Sequence, residues 1–216
     1  MKPTIAVAVL LAGLCSGLEA SWAQKPANPP AAAVAPAGDR KFDFTPTVSE
    51  QVSDGVPYRT VLFRDGSRRM QVNPPGKWTV SGSPGEMFFL NPDLSGARIT
   101  LRASSLPVPE KMDEPWIESI KPLVIASLPK SANNQVIANV APNAINISSS
   151  ISVEFKATYD QTGKRFVSDW VFLRLTDGRL LEVVTSSRDE DFPAVRSAMI
   201  EVLRGWGTAP YVPGSP

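Results

Sequence analysis

Between Ile147 and Tyr159 apolar and polar side chains alternate without a break. Ile147, Ser149, Ile151, Val153, Phe155, Ala157 and Tyr159 take one parity, and Ser148, Ser150, Ser152, Glu154, Lys156 and Thr158 take the other. A period of two puts successive side chains on opposite faces of a strand, so this run is a long strand with one buried face. Asp160-Gln161-Thr162-Gly163 then reverses the chain into a second run, Phe166–Thr176. There Val167, Val171, Leu173 and Leu175 share one side, and Phe166, Trp170 and Phe172 share the other. A strand apolar on both sides belongs in the middle of a sheet that is covered twice. Asp177-Gly178 supplies another tight turn, and Leu180–Ser186 follows as a third strand. Strands joined by turns this short pair antiparallel, because a parallel pair needs a long crossover.

The rest of the chain is read around this meander. Tyr58–Arg64 and Arg69–Val72 flank Asp65-Gly66-Ser67, and Glu86–Asn91 and Ala97–Ala103 flank Pro92-Asp93-Leu94-Ser95-Gly96; both are hairpin patterns. Gln135–Val140 is a further short strand. One helix is predicted to begin at Asp113-Glu114-Pro115 and to carry Trp116, Ile120, Leu123 and Val124, with Pro122 kinking or breaking it. A second is predicted with Asp191 as its cap, Pro193 in the first turn and an apolar stripe of Val195, Met199, Val202, Leu203 and Trp206. Gly205 and Gly207 end it. The expected class is α+β, an antiparallel sheet flanked by helices.

The N-terminal region reads differently. Lys2 precedes an uncharged apolar run, Ile5–Leu14, and Ser21-Trp22-Ala23 places small residues at −3 and −1 of a cleavage site. Residues 1–23 are therefore expected to be a signal peptide, cut after Ala23. Cys15, the one cysteine of the chain, lies within it, and Leu14 before it argues against lipidation. A mature chain without cysteine forms no disulfide. The sequence holds 22 basic and 21 acidic side chains. Losing Lys2 and Glu19 with the signal leaves that near-neutral balance unchanged, which argues against a nucleic-acid partner. Residues 24–57, opening with a Pro/Ala-rich run, are expected to be a disordered tether, residues 58–207 a single domain, and residues 208–216 a flexible tail. No later stretch is long and apolar enough for a transmembrane helix, so the expected location is exported, periplasmic or secreted.

With these elements in order, Met70-Gln71-Val72-Asn73-Pro74-Pro75-Gly76-Lys77-Trp78 resembles the strand and Pro-x-Gly-Trp opening of PsbP-like domains, with Lys77 between the Gly and the Trp. These domains are relatives of the extrinsic PsbP protein of photosystem II. The turn Asp160–Lys164, the turn Asp177-Gly178-Arg179 and the helix entry Asp189-Glu190-Asp191-Phe192 fall in the same order, over residues 58–206. The resemblance implies an α/β/α sandwich around an antiparallel sheet and a role as a non-enzymatic binding or assembly factor. PsbP works beside a manganese–calcium cluster. A chain with no histidine offers no counterpart to histidines of a metal site, and none is carried over.

Catalytic candidates are few, because histidine is absent and cysteine is confined to the signal. Ser127 and Lys130 have the S-x-x-K spacing of serine acyl-enzymes, but Pro129 between them should end the helix that would align them. Asn91, Asp93 and Ser95 alternate like calcium ligands, without a closing Glu. Asp189-Glu190-Asp191 reads as a solvated helix start. Glu154 and Asp169 are carboxylates on neighbouring strands, the raw material of a general acid/base pair. Trp78, Trp116, Trp170 and Trp206 occupy packing positions. Partner contacts are assigned to Arg64, Arg68 and Arg69 at a hairpin tip, and to Phe42 and Phe44 in the tether. The expectation is a non-catalytic exported accessory protein with no cofactor, no metal and an unidentified protein partner in the envelope. The alternative is a histidine-independent hydrolase using Ser/Lys or paired carboxylates.

Overall fold

The three strands predicted between Ile147 and Ser186 lie inside the larger of two sheets. The computed structural model describes residues 41–145, 147 and 150–209. In chain order the elements are β1 (Phe42–Ser53), β2 (Val56–Asp65), β3 (Arg68–Val72), β4 (Thr79–Ser83), β5 (Glu86–Leu90), β6 (Arg98–Ala103), α1 (Glu114–Ala126), β7 (Asn133–Pro142), β8 (Ile151–Gln161), β9 (Lys164–Arg174), β10 (Leu180–Arg188), α2 (Phe192–Arg204) and β11 (Gly207–Thr208). Among the described residues they form a seven-stranded sheet ordered β4-β5-β6-β10-β9-β8-β7 and a four-stranded sheet ordered β1-β2-β3-β11. Every pairing is antiparallel.

The fold is α+β with antiparallel sheets, but it is mostly sheet. α1 packs on one face of the large sheet. There Ile117, Ile120, Val124 and Leu128 bury Val153, Phe155, Trp170 and Phe172. The opposite face carries α2 together with the small sheet. Val195, Met199, Val202 and Leu203 of α2 and Phe42, Phe44, Val61, Phe63 and Val72 of the small sheet bury Met87, Phe89, Ile99, Leu101, Val171 and Val183. A helix alone was expected there; the strands β1 to β3 join α2 in that layer.

That second layer corrects the expected domain boundary. Residues 42–57 are not tether: β1 and β2 pair from Phe42↔Asp65 to Ser53↔Val56 around Asp54-Gly55, whose φ values are +52° and +78°. Asp-Gly is a favoured sequence for a hairpin turn with both central residues at positive φ. Phe42 and Phe44 are 7% and 0% exposed. They stack on one another at 5.2 Å, and Phe44 stacks on Phe63 at 5.4 Å, so both are core residues and not a partner anchor. Gly82 lets β1 cross β4. A Cβ there would meet the Phe44 carbonyl oxygen at 2.6 Å. The other boundary also moves. Thr208 pairs with Met70, and the Ala209 N–H donates to the Arg69 carbonyl, so residues 208 and 209 belong to the domain and not to a tail. Residues 1–40 and 210–216, on which the expected signal peptide and the rest of the expected tether and tail fall, lie outside the described residues.

Two helix details differ from expectation. α1 begins where predicted, with the Asp113 side chain as its cap accepting from the Trp116 N–H, yet the helix continues through Pro122 to Ala126. Pro122 is exposed. The carbonyl that loses its N–H partner, at Glu118, lies one turn back on a solvated helix flank, where water substitutes. Asp191 makes no side-chain cap of α2; a 3-10 turn, Asp189–Asp191, feeds the chain into the helix instead. Gly205 closes α2 in ordinary right-handed conformation. Its need is space: a Cβ would meet the Asn73 backbone nitrogen at 2.5 Å.

Candidate binding face

The register of the large sheet sets out one continuous row of side chains on the α1 side: Ser81, Phe88, Thr100, Val184, Trp170, Phe155 and Val140. α1 covers the end of that row with Trp170 and Phe155. Among the described residues no helix lies over the end on β4, β5 and β6. Phe88 is only half-buried and Leu90, one row along, is 44% exposed. Leu90 stands opposite Arg98, which stands opposite Ser186. The row on the other side runs Glu86, Arg102, Glu182.

The charges on this face are placed unequally. Arg102 pairs with Glu182 at 2.6 Å, and that hydrogen bond raises its pKa further. Arg98 lays its guanidinium 3.9 Å over the Phe88 ring and donates from Nε to Thr100 Oγ1 at 3.1 Å. Among the described residues no carboxylate pairs with Arg98. Beside it a groove of about 320 Å³ opens between the sheet and the end of α1, lined by Arg98, Leu128, Pro129, Trp170 and Val184. Hydroxyls sit along its floor: Tyr159 Oη lies 3.3 Å from Ser186 Oγ, and Ser168 Oγ lies 3.4 Å from Tyr159 Oη. Ser127 also lines it.

Glu154 and Asp169 do converge, on the other face. The register Glu154↔Val171 and Lys156↔Asp169 puts both on the α2 side. Arg196 of α2 donates to both Glu154 oxygens, at 3.0 and 2.9 Å, and lies 3.9 Å from Asp169 Oδ2. Burial, and then the neighbouring Glu154 carboxylate, push Asp169 up to about 9. Burial works to raise Glu154 as well, but the hydrogen bonds from Arg196 and from the Asp169 acid outweigh it, and its pKa is lowered. Near neutral pH the pair is one acid and one carboxylate. Asp169 is 0% exposed, and neither of its oxygens meets an N–H or O–H donor among the described residues. The neutral acid's own proton, shared with Glu154, is the remaining way to satisfy it. The pair lies inside the molecule, beneath α2.

The other candidates fall elsewhere. Arg64 and Arg68 are exposed at the hairpin tip, and Arg69 is half-buried. Asp65 between them is buried and holds Arg179 by two hydrogen bonds of 2.6 and 2.7 Å, while Arg179 also bonds Asp177 and lies 4.1 Å over Phe42. This cluster ties the small sheet to the turn between β9 and β10. Arg68 and Phe42 line a cavity of about 200 Å³ next to it. Ser127 is the C-cap of α1, bonding the Val124 carbonyl at 2.7 Å, and Lys130 follows beyond the helix, so the two are not one helical turn apart on a helix. Asn91 and Asp93 form a polar turn in which Lys77 pairs with Asp93 at 2.7 Å. Glu190 lies 3.6 Å from Arg188. Among the described residues no group of three or more acidic, histidine or cysteine side chains could hold a metal, and no helix is long and apolar enough to cross a membrane.

The bare face escaped the sequence reading. Met87-Phe88-Phe89-Leu90 is apolar at both parities, which reads as a strand covered twice. The signal that marks it is the pair Arg98 and Arg102, which share one parity on the adjacent strand and stand opposite Leu90 and Glu86, on either side of the Phe88 row.

No family model matches the chain, and no curated protein matches it. Similar solved structures include protein PA94 of Pseudomonas aeruginosa, of unknown function, at 16% identity and a TM-score of 0.42, covering 70% of this chain and 99% of that one. LpqN of Mycobacterium tuberculosis, involved in cell envelope biogenesis, is similar at 11% identity and a TM-score of 0.34, covering 77% of this chain and 85% of that one. Cyanobacterial PsbP from Synechocystis is similar at 12% identity and a TM-score of 0.42, covering 65% of this chain and 86% of that one. At TM-scores below 0.5 none of these likenesses says what this chain binds.

Proposed function

We propose that the chain is an exported, non-catalytic accessory protein with a PsbP-like domain, and that it works through protein–protein contacts in the cell envelope. The observation that carries this reading is the uncovered half of the large sheet's α1-side face. A half-buried Phe88 and an exposed Leu90 lie there beside an arginine that no carboxylate of the described residues pairs. Clustered apolar side chains rimmed by polar ones mark surfaces that meet partners. The chemistry available to a hydrolase points the other way. The acid/base pair Glu154 and Asp169 is sealed beneath Arg196, and Ser127 spends its hydroxyl on a helix carbonyl.

The test is affinity capture from an envelope fraction with the exported protein and with its Phe88→Ser/Leu90→Ser double variant, followed by mass spectrometry. The expected result is a thermal midpoint close to that of the parent and loss of the specifically captured partner. Capture of the same partner by the double variant overturns the assignment to this face.

A further inference from the structure

We infer that the bare face receives an extended segment of a partner protein in which a carboxylate and an apolar side chain alternate on one side. This rests on the reading above and adds the chemistry of the partner. Two arginines stand on the face. Arg102 is neutralised at 2.6 Å by Glu182 and stands opposite Glu86 as well. Arg98 has its Nε on Thr100 and its plane over Phe88, and its two terminal nitrogens have no hydrogen-bond partner among the described residues. The side chain is thus held before anything binds, with the part of the fork that recognises a carboxylate unused. Holding it in advance removes much of the ordering cost of recognition.

The face is also polarised along the strands. Glu86, Arg102 and Glu182 make its acidic end, and Arg98 makes its basic end four residues away on the same strand. Four residues of strand span roughly 13 Å. A bound carboxylate is drawn to Arg98 and away from Glu86, which fixes its register. The groove of about 320 Å³, which Glu86 and Arg102 line as well as Arg98, offers Leu128, Trp170 and Val184 to a side chain. In an extended segment, positions i and i+2 point the same way about 7 Å apart, so a carboxylate on Arg98 sets its second neighbour over the groove. A free small carboxylate satisfies Arg98 and leaves Leu90 and the groove wall uncovered, which is why the partner is a peptide segment.

Calorimetric titration of the exported protein tests this with an end-capped peptide alternating Asp and Leu on one side, spaced by Ser. Its counterpart with Asn for Asp, sodium acetate and phosphatidylglycerol vesicles are titrated in parallel. The Asp peptide is expected to bind about tenfold or more tightly than the Asn peptide, the scale of a hydrogen bond to a charged group. Arg98→Gln should erase that preference. Arg98→Glu should transfer it to a peptide with Lys for Asp, a gain that a misfolded variant does not give. Equal binding of the Asp and Asn peptides, no peptide binding at all, or binding of acetate or vesicles as tight as that of the Asp peptide overturns the inference. The two levels separate cleanly. If the Phe88→Ser/Leu90→Ser variant loses its partner while the Asp peptide fails, the face stands and the acidic chemistry falls; if that variant keeps its partner, both fall.

Discussion

Phe88 and Trp170 lie in the same row of the same sheet face, three strands apart, and have opposite fates. Trp170 is 4% exposed under α1, its neighbours Phe155 and Phe172 packed edge-on to one another at 5.8 Å. Phe88 has an arginine for a cover. The strands present comparable side chains. What differs is the reach of α1, which crosses β7 and β8 and ends at Ser127, short of β6. A helix of this length covers about half of a seven-stranded sheet, because strands are spaced roughly 4.8 Å apart. The small sheet closes the corresponding half of the opposite face, so among the described residues the β4 to β6 half of the α1 side is the part left without a covering element.

The largest expected effect lies on the covered half. Trp170→Ala should cost about 3–5 kcal/mol, through lost transfer energy and the cavity left in a well-packed layer. Denaturant melts measure it. A midpoint close to the parent's means that the two halves are not different after all.

The second effect contrasts the arginines. Arg179 is held by Asp65 and Asp177 and Arg98 by no carboxylate of the described residues. Arg179→Gln should cost about 3 kcal/mol, since it leaves the buried Asp65 without its counter-ion. Arg98→Gln should stay within about 0.5 kcal/mol. Equal costs in the same melts remove the contrast.

The contrast extends to what sequence shows. The meander, the stripe of α2 and the start of α1 at Asp113 were legible because each is local: period, turn and helix start fall within a few residues. β1 was not. It lies at the edge of the small sheet with much of its length solvated, so Thr45, Pro46 and Thr47 carry no period, and Phe42 and Phe44 look like strays. Asp54-Gly55 was the available signal. The supposed polar face of β8 was also misjudged. Ser152, Glu154 and Thr158 are buried, because the far side of the sheet is covered too, and Glu154 is balanced by Arg196 from a helix 42 residues on. Alternation shows that a strand has two different faces. It does not show what covers the second one. The candidate face was hidden for the same reason: nothing in a strand's sequence says where a helix stops.

A smaller effect concerns pH. Asp169 keeps its proton in the folded state up to about 9, against an ordinary value of 3.8. Between those values the folded chain binds a proton that the unfolded chain has released, so stability falls as pH rises through that window. Glu154, lowered in the fold, contributes stability that is present above its ordinary value and lost as pH falls through its folded one. The contribution of this pair is therefore expected to peak at about pH 4 and to decline through pH 8. Asp169→Asn should flatten the decline and add roughly 1–2 kcal/mol at pH 8, by relieving a buried acid with no donor of its own nearby. Melts from pH 5 to 8 that run parallel for both proteins contradict this.

The smallest stability effect is the one that matters for binding. Leu90→Ala should change unfolding free energy by no more than about 0.5 kcal/mol, because Leu90 is 44% exposed among the described residues. Photo-crosslinking then asks directly whether it meets something else. A photoreactive residue at Leu90 is compared, in the full chain within intact cells, with one at Val136, which is 55% exposed on the opposite edge strand. A discrete adduct from Leu90, lost with Arg98→Glu and absent from Val136, is the result expected of a binding face. No adduct at Leu90, or the same adducts from both positions, contradicts it.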